Sequence, residues 1–209
     1  MIIAMDGPAA SGKGTLAKRI ALRYGLPHLD TGMLYRGIAR DMMRRGERLD
    51  DAEAAERAAR ALDPATLQDS ALRDRHMGEA ASVVAQFPAV RAALLEAQKA
   101  FAAQRPGAVV EGRDIGTVIF PEAEVKLYVT ADLRERARRR HLELTARGEY
   151  ITEDAVYADL EKRDLRDQSR AAAPLRMAED AHLLDTTKLD IETAFFAAVR
   201  LIDAAIGRS

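Results

Sequence analysis

Gly7-Pro8-Ala9-Ala10-Ser11-Gly12-Lys13-Gly14-Thr15 is the stretch of this chain whose residue types and spacing speak most directly of chemistry. Small residues let successive backbone N–H groups converge on phosphate oxygens with no Cβ in the way. A helix opening behind such a loop adds the positive end of its dipole, and Lys13 can reach β- and γ-phosphates. The match to G-x-x-x-x-G-K is complete. It follows an apolar run, Met1 to Met5, and precedes Leu16, Ile20 and Tyr24, which recur four apart. Strand, turn and amphipathic helix are the context this motif requires, so the segment implies a nucleoside triphosphate site rather than an ordinary glycine-rich turn.

Further along, Leu29-Asp30-Thr31-Gly32-Met33-Leu34-Tyr35-Arg36 reads as a strand end followed by a helix that Thr31 can cap. Alone, that segment would be a capped helix with a surface arginine. Glu111-Gly112-Arg113-Asp114-Ile115-Gly116-Thr117 closes another apolar run. The carboxyl ends of parallel strands border the ligand crevice, so Glu111 is placed to orient a magnesium-bound water. Arg113 and Asp114 would then project toward a phosphoryl acceptor, the plainer alternative being a surface ion pair. Val156, Leu160, Arg163, Asp167 and Arg170 follow one helical stripe at alternating spacings of four and three. A stripe that is apolar and then charged suits a helix that covers a core and then lines a cleft. Arg134, Arg136, Arg138, Arg139 and Arg140 form a basic run without interleaved aromatics, in a chain of net charge −1. That favours a lid closing over a triphosphate above a nucleic-acid footprint. Arg139 and Arg140 are the candidates for it, with Arg136 one turn earlier.

These residues need a frame. The 209-residue length suffices for one substantial core, and no apolar run approaches the roughly 18 residues that span a bilayer. No basic segment precedes the first apolar stretch, so a cleavable signal is not expected. With no cysteine and four scattered histidines there is no disulfide framework and no metal-ligand spacing. A reducing cytoplasm suits all of this. Arginine outnumbers lysine 26 to 6, which directs attention to where guanidinium groups cluster. Strands are expected at Ile2 to Met5, near His28-Leu29, and at Ala108 to Glu111, Val125 to Val129 and His182 to Leu184. Helices fill the intervals, giving an α/β domain with a mostly parallel sheet. The last helix is expected to start at Asp190 and bury Ile191, Phe195, Val199 and Ile202. Residues 37–104 are nearly all helical, broken at Phe87-Pro88, after which Val90, Leu94, Ala97 and Phe101 form a core-facing stripe. Residues 131–174 read as a helical pair turning at Gly148 and ending before Pro174.

Gly14, not Ser or Thr, follows Lys13, and G-K-G-T resembles the form found in nucleoside monophosphate kinases, where magnesium is held mainly by phosphates and water. Five further segments extend that likeness. They are Leu29 to Arg36, Ala80 to Arg91, Glu111 to Pro121, Lys162 to Arg170 and Ala173-Pro174-Leu175. Together they resemble the bacterial cytidylate kinase family over most of the chain. The resemblance implies a P-loop kinase fold: a five-stranded parallel sheet flanked by helices, with a helical acceptor-binding flap and a helical lid. It implies one domain, 1–209, with core 1–36, 105–130 and 175–209, insert 37–104 and lid 131–174.

The implied activity is γ-phosphoryl transfer from ATP, with Mg2+, to CMP or dCMP. Residues Gly7 to Thr15 would hold the donor and Lys13 would act on its phosphates, with lid arginines Arg139 and Arg140 facing them. Ser82, Arg91 and Asp114 match the groups that contact the cytosine edge, and Arg163 and Asp167 those that hold the ribose. Thr31, Arg36, Arg113 and Arg170 match the acceptor-phosphate cradle. No metal ligand, nucleic-acid partner or membrane is expected, and a monomer is. Only about ten residues, Asp63 to Leu72, stand where the family usually carries a small β-sheet. Two rivals stay open: a kinase for another small acceptor, such as a different nucleoside monophosphate or shikimate, and a guanine-nucleotide switch. The second draws on Thr187-Lys188-Leu189-Asp190, which imitates a T-K-x-D segment although Asp190 equally suits a helix cap.

Overall fold

The computed structural model describes residues 1–207. Strands β1 (Ile2–Asp6), β2 (His28–Asp30), β3 (Ala108–Gly112), β4 (Val125–Thr130) and β5 (His182–Asp185) form one sheet in the order β2-β3-β1-β4-β5. All four pairings are parallel, with Ile3 opposite both Val109 and Val125. Every β3 residue is buried, as expected of a strand covered on both faces.

Helices α1 (Lys13–Tyr24) and α8 (Ile191–Ala205) cover one face, where Ile3, Met5, Leu16, Ile20, Leu127 and Ile202 make the central core. On the other face Ala4, Val110, Ile115 and Ile119 pack beside Ala102. Between β2 and β3 the chain makes α2 (Thr31–Arg44), α3 (Ala52–Arg60), α4 (Arg75–Val84) and α5 (Pro88–Ala103). These helices bury a core of their own, built on Ile38, Met42, Leu72, Val84, Val90 and Leu94. Two short 3-10 turns, Pro64–Gln68 and Ser70–Arg73, occupy the place of the missing sheet, and Leu72 is fully buried between them and the helices. After β4, α6 (Leu133–Ala146) and α7 (Glu153–Ser169) pair over Ala137, Leu144, Val156 and Leu160.

Three local expectations are corrected. Asp30, not Thr31, caps α2, its Oδ1 accepting from the Gly32 N–H at 3.0 Å. The inner face of α5 runs Val90, Leu94, Gln98 and Ala102, and Ala97 is exposed. Gln98 satisfies itself there by donating to the Leu94 carbonyl at 3.1 Å, so a polar residue holds a position the apolar pattern assigned to its neighbour. On α8 the buried face begins at Ala194, Ile191 is exposed, and Phe195 is half-buried under the Arg19 guanidinium, 4.3 Å from the ring centre.

Truncating Leu72 to alanine removes a fully buried side chain and should cost about 2–5 kcal/mol. Leu22→Ala, at an 83% exposed position, should stay within about 0.5 kcal/mol of wild type. Urea unfolding distinguishes the two, and equal midpoints would contradict the packing described for the short turns.

Candidate active site

The loop after β1 enters at Gly7, where φ is +148°. A Cβ there would lie 1.9 Å from the Val129 carbonyl oxygen, so only glycine lets β1 and β4 stay paired while the chain turns. Gly7 does not line the cleft; its part is steric. Pro8 to Thr15 do line it, on one wall of a cavity of about 420 Å³. Gly12 precedes α1 in a left-handed conformation, and α1 has neither a side-chain cap nor an acidic residue in its first turn. Its first N–H groups and positive dipole end are therefore open to an external anion.

Lys13 is buried at the foot of this loop and donates from Nζ to Glu111 Oε2 at 2.9 Å. The other Glu111 oxygen, Oε1, meets His28 Nε2 at 2.9 Å, and the Glu111 carbonyl accepts from Thr31 Oγ1 at 2.8 Å. Burial by itself would raise the Glu111 carboxyl, but the Lys13 charge and the bonds from His28 and Lys13 outweigh it and hold it at about 2. Gly14 gives this carboxylate room: a Cβ there would sit 3.3 Å from Oε1. Behind it, Asp6 is fully enclosed and accepts from the Ile115 and Gly116 N–H groups at 2.8 and 2.7 Å. Burial raises it to about 6 against the pull of those two bonds, and Asp114 adds to the rise.

Across the cavity, Arg113 and Asp114 diverge instead of pairing with each other. Arg113 Nε donates to Asp167 Oδ2 at 3.0 Å, and Ser82 Oγ donates to Asp167 Oδ1 at 2.8 Å. Asp114 accepts from Arg91 and lies 3.4 Å from Arg170 Nη2. Arg163 Nε stands 3.8 Å from Asp167 Oδ2, too far to hydrogen-bond, and this buried N–H has no other hydrogen-bond partner. Burial lowers the Arg163 pKa to about 9, with Arg113 and Arg36 adding to the effect, and Arg36 is lowered by burial, Arg140 and Arg113. Arg36 donates to the Leu72 carbonyl at 2.7 Å. This wall holds more positive charge than its two aspartates balance.

On the lid, Arg139 donates to Thr186 Oγ1 and O at 2.9 and 2.6 Å and to Glu135 at 2.8 Å, while Thr186 Oγ1 donates to Ser11 O at 2.9 Å. Arg140 pairs with Glu143 at 2.8 Å. Both arginines line the cavity. Arg136 does not: it is buried, and it fastens α6 to the loop through Ala9 O at 3.2 Å and to α7 through Asp164 at 2.6 Å. Asp190 Oδ1 accepts from Thr193 N at 2.7 Å as the N-cap of α8, so the T-K-x-D likeness reflects the start of a helix.

Thr31, Arg36, Ser82, Arg91, Arg113, Asp114, Arg163, Asp167 and Arg170 thus come together around the same cavity as the loop. Asp30, Tyr35, Arg73 and Glu143 also line it, although no motif or spacing in the sequence marks them as site residues. Tyr35, one residue before Arg36, is buried with the Arg91 guanidinium 5.7 Å from its ring centre. Its place in an apolar helix pattern hid it. His28 has no charged or ligating residue directly beside it in the chain to mark it; its partner Glu111 arrives only through the pairing of β2 with β3.

A family model described as Cytidylate kinase matches residues 3–203. The cytidylate kinase of Rhodopseudomonas palustris (strain BisB18) is 59% identical over 98% of this chain and 96% of its own length. That of Methylocella silvestris is 58% identical over 98% and 95%. Among solved structures, a sugar kinase from Janibacter sp. HTCC2649 aligns over 100% of this chain and 98% of its own at 17% identity, with a TM-score of 0.51. An uncharacterized protein from Eubacterium ventriosum aligns over 98% and 99% at 16% identity, with a TM-score of 0.53. These two share the fold.

Because the Glu111 carboxyl is held below its ordinary 4.5, its contribution to stability is complete above about pH 4.5 and is lost as pH falls toward 2. The loss is on the order of 3 kcal/mol. Urea unfolding between pH 6 and 2 should show a steeper acid decline for wild type than for Glu111→Gln. Parallel declines would contradict the Lys13–Glu111–His28 arrangement.

Proposed function

Since the chain belongs to the cytidylate kinase family, we propose that it moves the γ-phosphoryl group of ATP onto the phosphate of CMP or dCMP, yielding ADP and CDP or dCDP. The observation that carries this is the facing pair of walls. A phosphate-cradling loop with an uncapped helix end, after β1, lies opposite two aspartates bracketed by arginines, one just past β3 and one on α7, in one cavity.

The acceptor oxygen needs no strong base, because the second pKa of a phosphate monoester is about 6. What remains is alignment and charge. Lys13 moves from Glu111 to the β- and γ-phosphates, while Thr31, Arg36, Arg113 and Arg170 hold the acceptor phosphate. Ser82, Arg91 and Asp114 read the cytosine edge, and Arg163 and Asp167 hold the ribose. Arg139 and Arg140 cover the donor as α6 and α7 exclude water. Each role is assigned on position around the cavity and on the family pattern.

Among the described residues no three His, Asp or Glu side chains gather to bind a metal, and Gly14 offers no hydroxyl beside Lys13. That donor set fits a magnesium ion held through phosphate oxygens and water, with Glu111 orienting the water. Such an ion, when bound, would offset the negative charge of the donor phosphates. We take the enzyme to act as a monomer. No single helix among the described residues is long and apolar enough to cross a membrane. We place the enzyme in the cytoplasm, with its nucleotide substrates.

In a CMP-dependent ADP-release assay, Lys13→Ala should lower kcat by about 10²–10³-fold. Near-normal turnover would contradict its role. Ser82→Ala should raise KM for CMP about tenfold and leave KM for ATP within twofold, as expected when one charge-assisted hydrogen bond on the acceptor side is lost. Equal rises in both would place Ser82 outside the acceptor site.

A further inference from the structure

Arg73 ends the second short turn of the insert and lines the active cavity, as Arg36, Arg140 and Arg163 do. It also lines an adjoining cavity of about 290 Å³ between the insert and the lid. Among the described residues no carboxylate or carbonyl engages its side chain. The neighbouring cations are committed. Arg75 pairs with Asp159 at 2.7 Å, Arg166 with Glu79 at 2.6 Å, and Arg140 with Glu143 at 2.8 Å. An unpaired arginine in the cavities that Arg36 and Arg163 also line, where burial and neighbouring arginines already disfavour the charge of both, lies where an anion is missing from the balance.

The backbone that presents Arg73 is held from two directions. The preceding Leu72 is sunk in the insert core, and its carbonyl accepts from Arg36. The Arg73 carbonyl accepts from Arg147 Nη1 at 2.6 Å, with Arg140 Nη2 at 3.4 Å. Arg147 ends the lid helix α6 and also reaches Ser70 O at 3.4 Å and Asp74 at 3.6 Å. Successive carbonyls of one turn thus rest on an acceptor-side arginine and on a lid arginine.

We propose that Arg73 is a further phosphate-binding residue of this kinase, delivered by the shortened insert, and that Arg147 is the positioning residue that sets it as the lid engages. Its guanidinium donates to phosphoryl oxygens between donor and acceptor, and the Arg147 bond to its carbonyl keeps it there. This rests on the phosphoryl-transfer function above. The bypass of a multistrand insert then has a consequence: a turn that packs directly against the lid couples closure over ATP to the acceptor half.

Steady-state kinetics of wild type, Arg73→Gln, Arg147→Ala and the double variant test this, with CMP and ATP varied in turn. Wild-type CMP turnover in the same assay carries the function itself, so each variant is read as a ratio to it and the two claims fail separately. Arg73→Gln should lower kcat/KM by about tenfold or more with an unchanged melting temperature, since the side chain is exposed and unpaired. Arg147→Ala should lower kcat/KM at least about threefold in the wild-type background and have no effect in the Arg73→Gln background. Arg73→Gln within twofold of wild type would overturn the binding role. Equal effects of Arg147→Ala in both backgrounds would overturn the positioning role, since a merely structural contact lowers both alike.

Discussion

The governing constraint is like-charge crowding. Arg36, Arg91, Arg113, Arg163 and Arg170 share one wall, and the buried carboxylates that pair directly with them are Asp114 and Asp167. Two unit charges about 4 Å apart near a protein surface interact by about 4 kcal/mol, so such a wall persists only where the fold leaves it no freedom to spread. Asp167 meets that need three times over, through Arg113, Arg163 and the Ser82 hydroxyl. Asp114 does the same for Arg91 and Arg170. The residual positive charge is what an anionic substrate neutralises, and because the cradle is formed beforehand, little reorganisation remains for the moment of transfer.

Rigidity of that kind comes from unrelated stretches of chain meeting at one sheet edge. β3 delivers Glu111, with Arg113 and Asp114 just beyond its end, α7 delivers Arg163 and Asp167, and Arg170 follows at its end. α4 and α5 bring Ser82 and Arg91 on a core separate from that of the sheet. The same sheet edge fixes the donor side, since Gly7 passes against Val129 and Lys13 meets Glu111. Donor and acceptor walls therefore meet at the ends of neighbouring strands, β1 and β3, whose register is set by continuous pairing from Ile2 to Asp6.

Much of this is legible in the residues. A glycine-rich loop after an apolar run can only be read one way in that context, and the stripe from Val156 to Arg170 runs from the α6–α7 contact into the cleft. What helical spacing cannot convey is a partner far away in the chain. Arg136 looked like a lid arginine, yet its partners, Ala9 and Asp164, lie on other elements and turn it into a fastening. His28 becomes meaningful only when β2 pairs with β3 and Glu111 stands beside it. Gln98 replaces Ala97 in the α5 face because a buried amide can use its own helix as partner, which hydropathy does not count. Asp30 rather than Thr31 caps α2 because the Thr31 hydroxyl is drawn to the Glu111 carbonyl. Arg73 lay in a stretch without periodicity, where no pattern marks a site.

The most direct measurement is a crystal structure of the enzyme with CMP and a non-hydrolysable ATP analogue. The expected result is the pyrimidine edge against Ser82, Arg91 and Asp114, the CMP phosphate among Thr31, Arg36, Arg113 and Arg170, and the triphosphate along Pro8 to Thr15. A pyrimidine bound away from Ser82, Arg91 and Asp114 would contradict it.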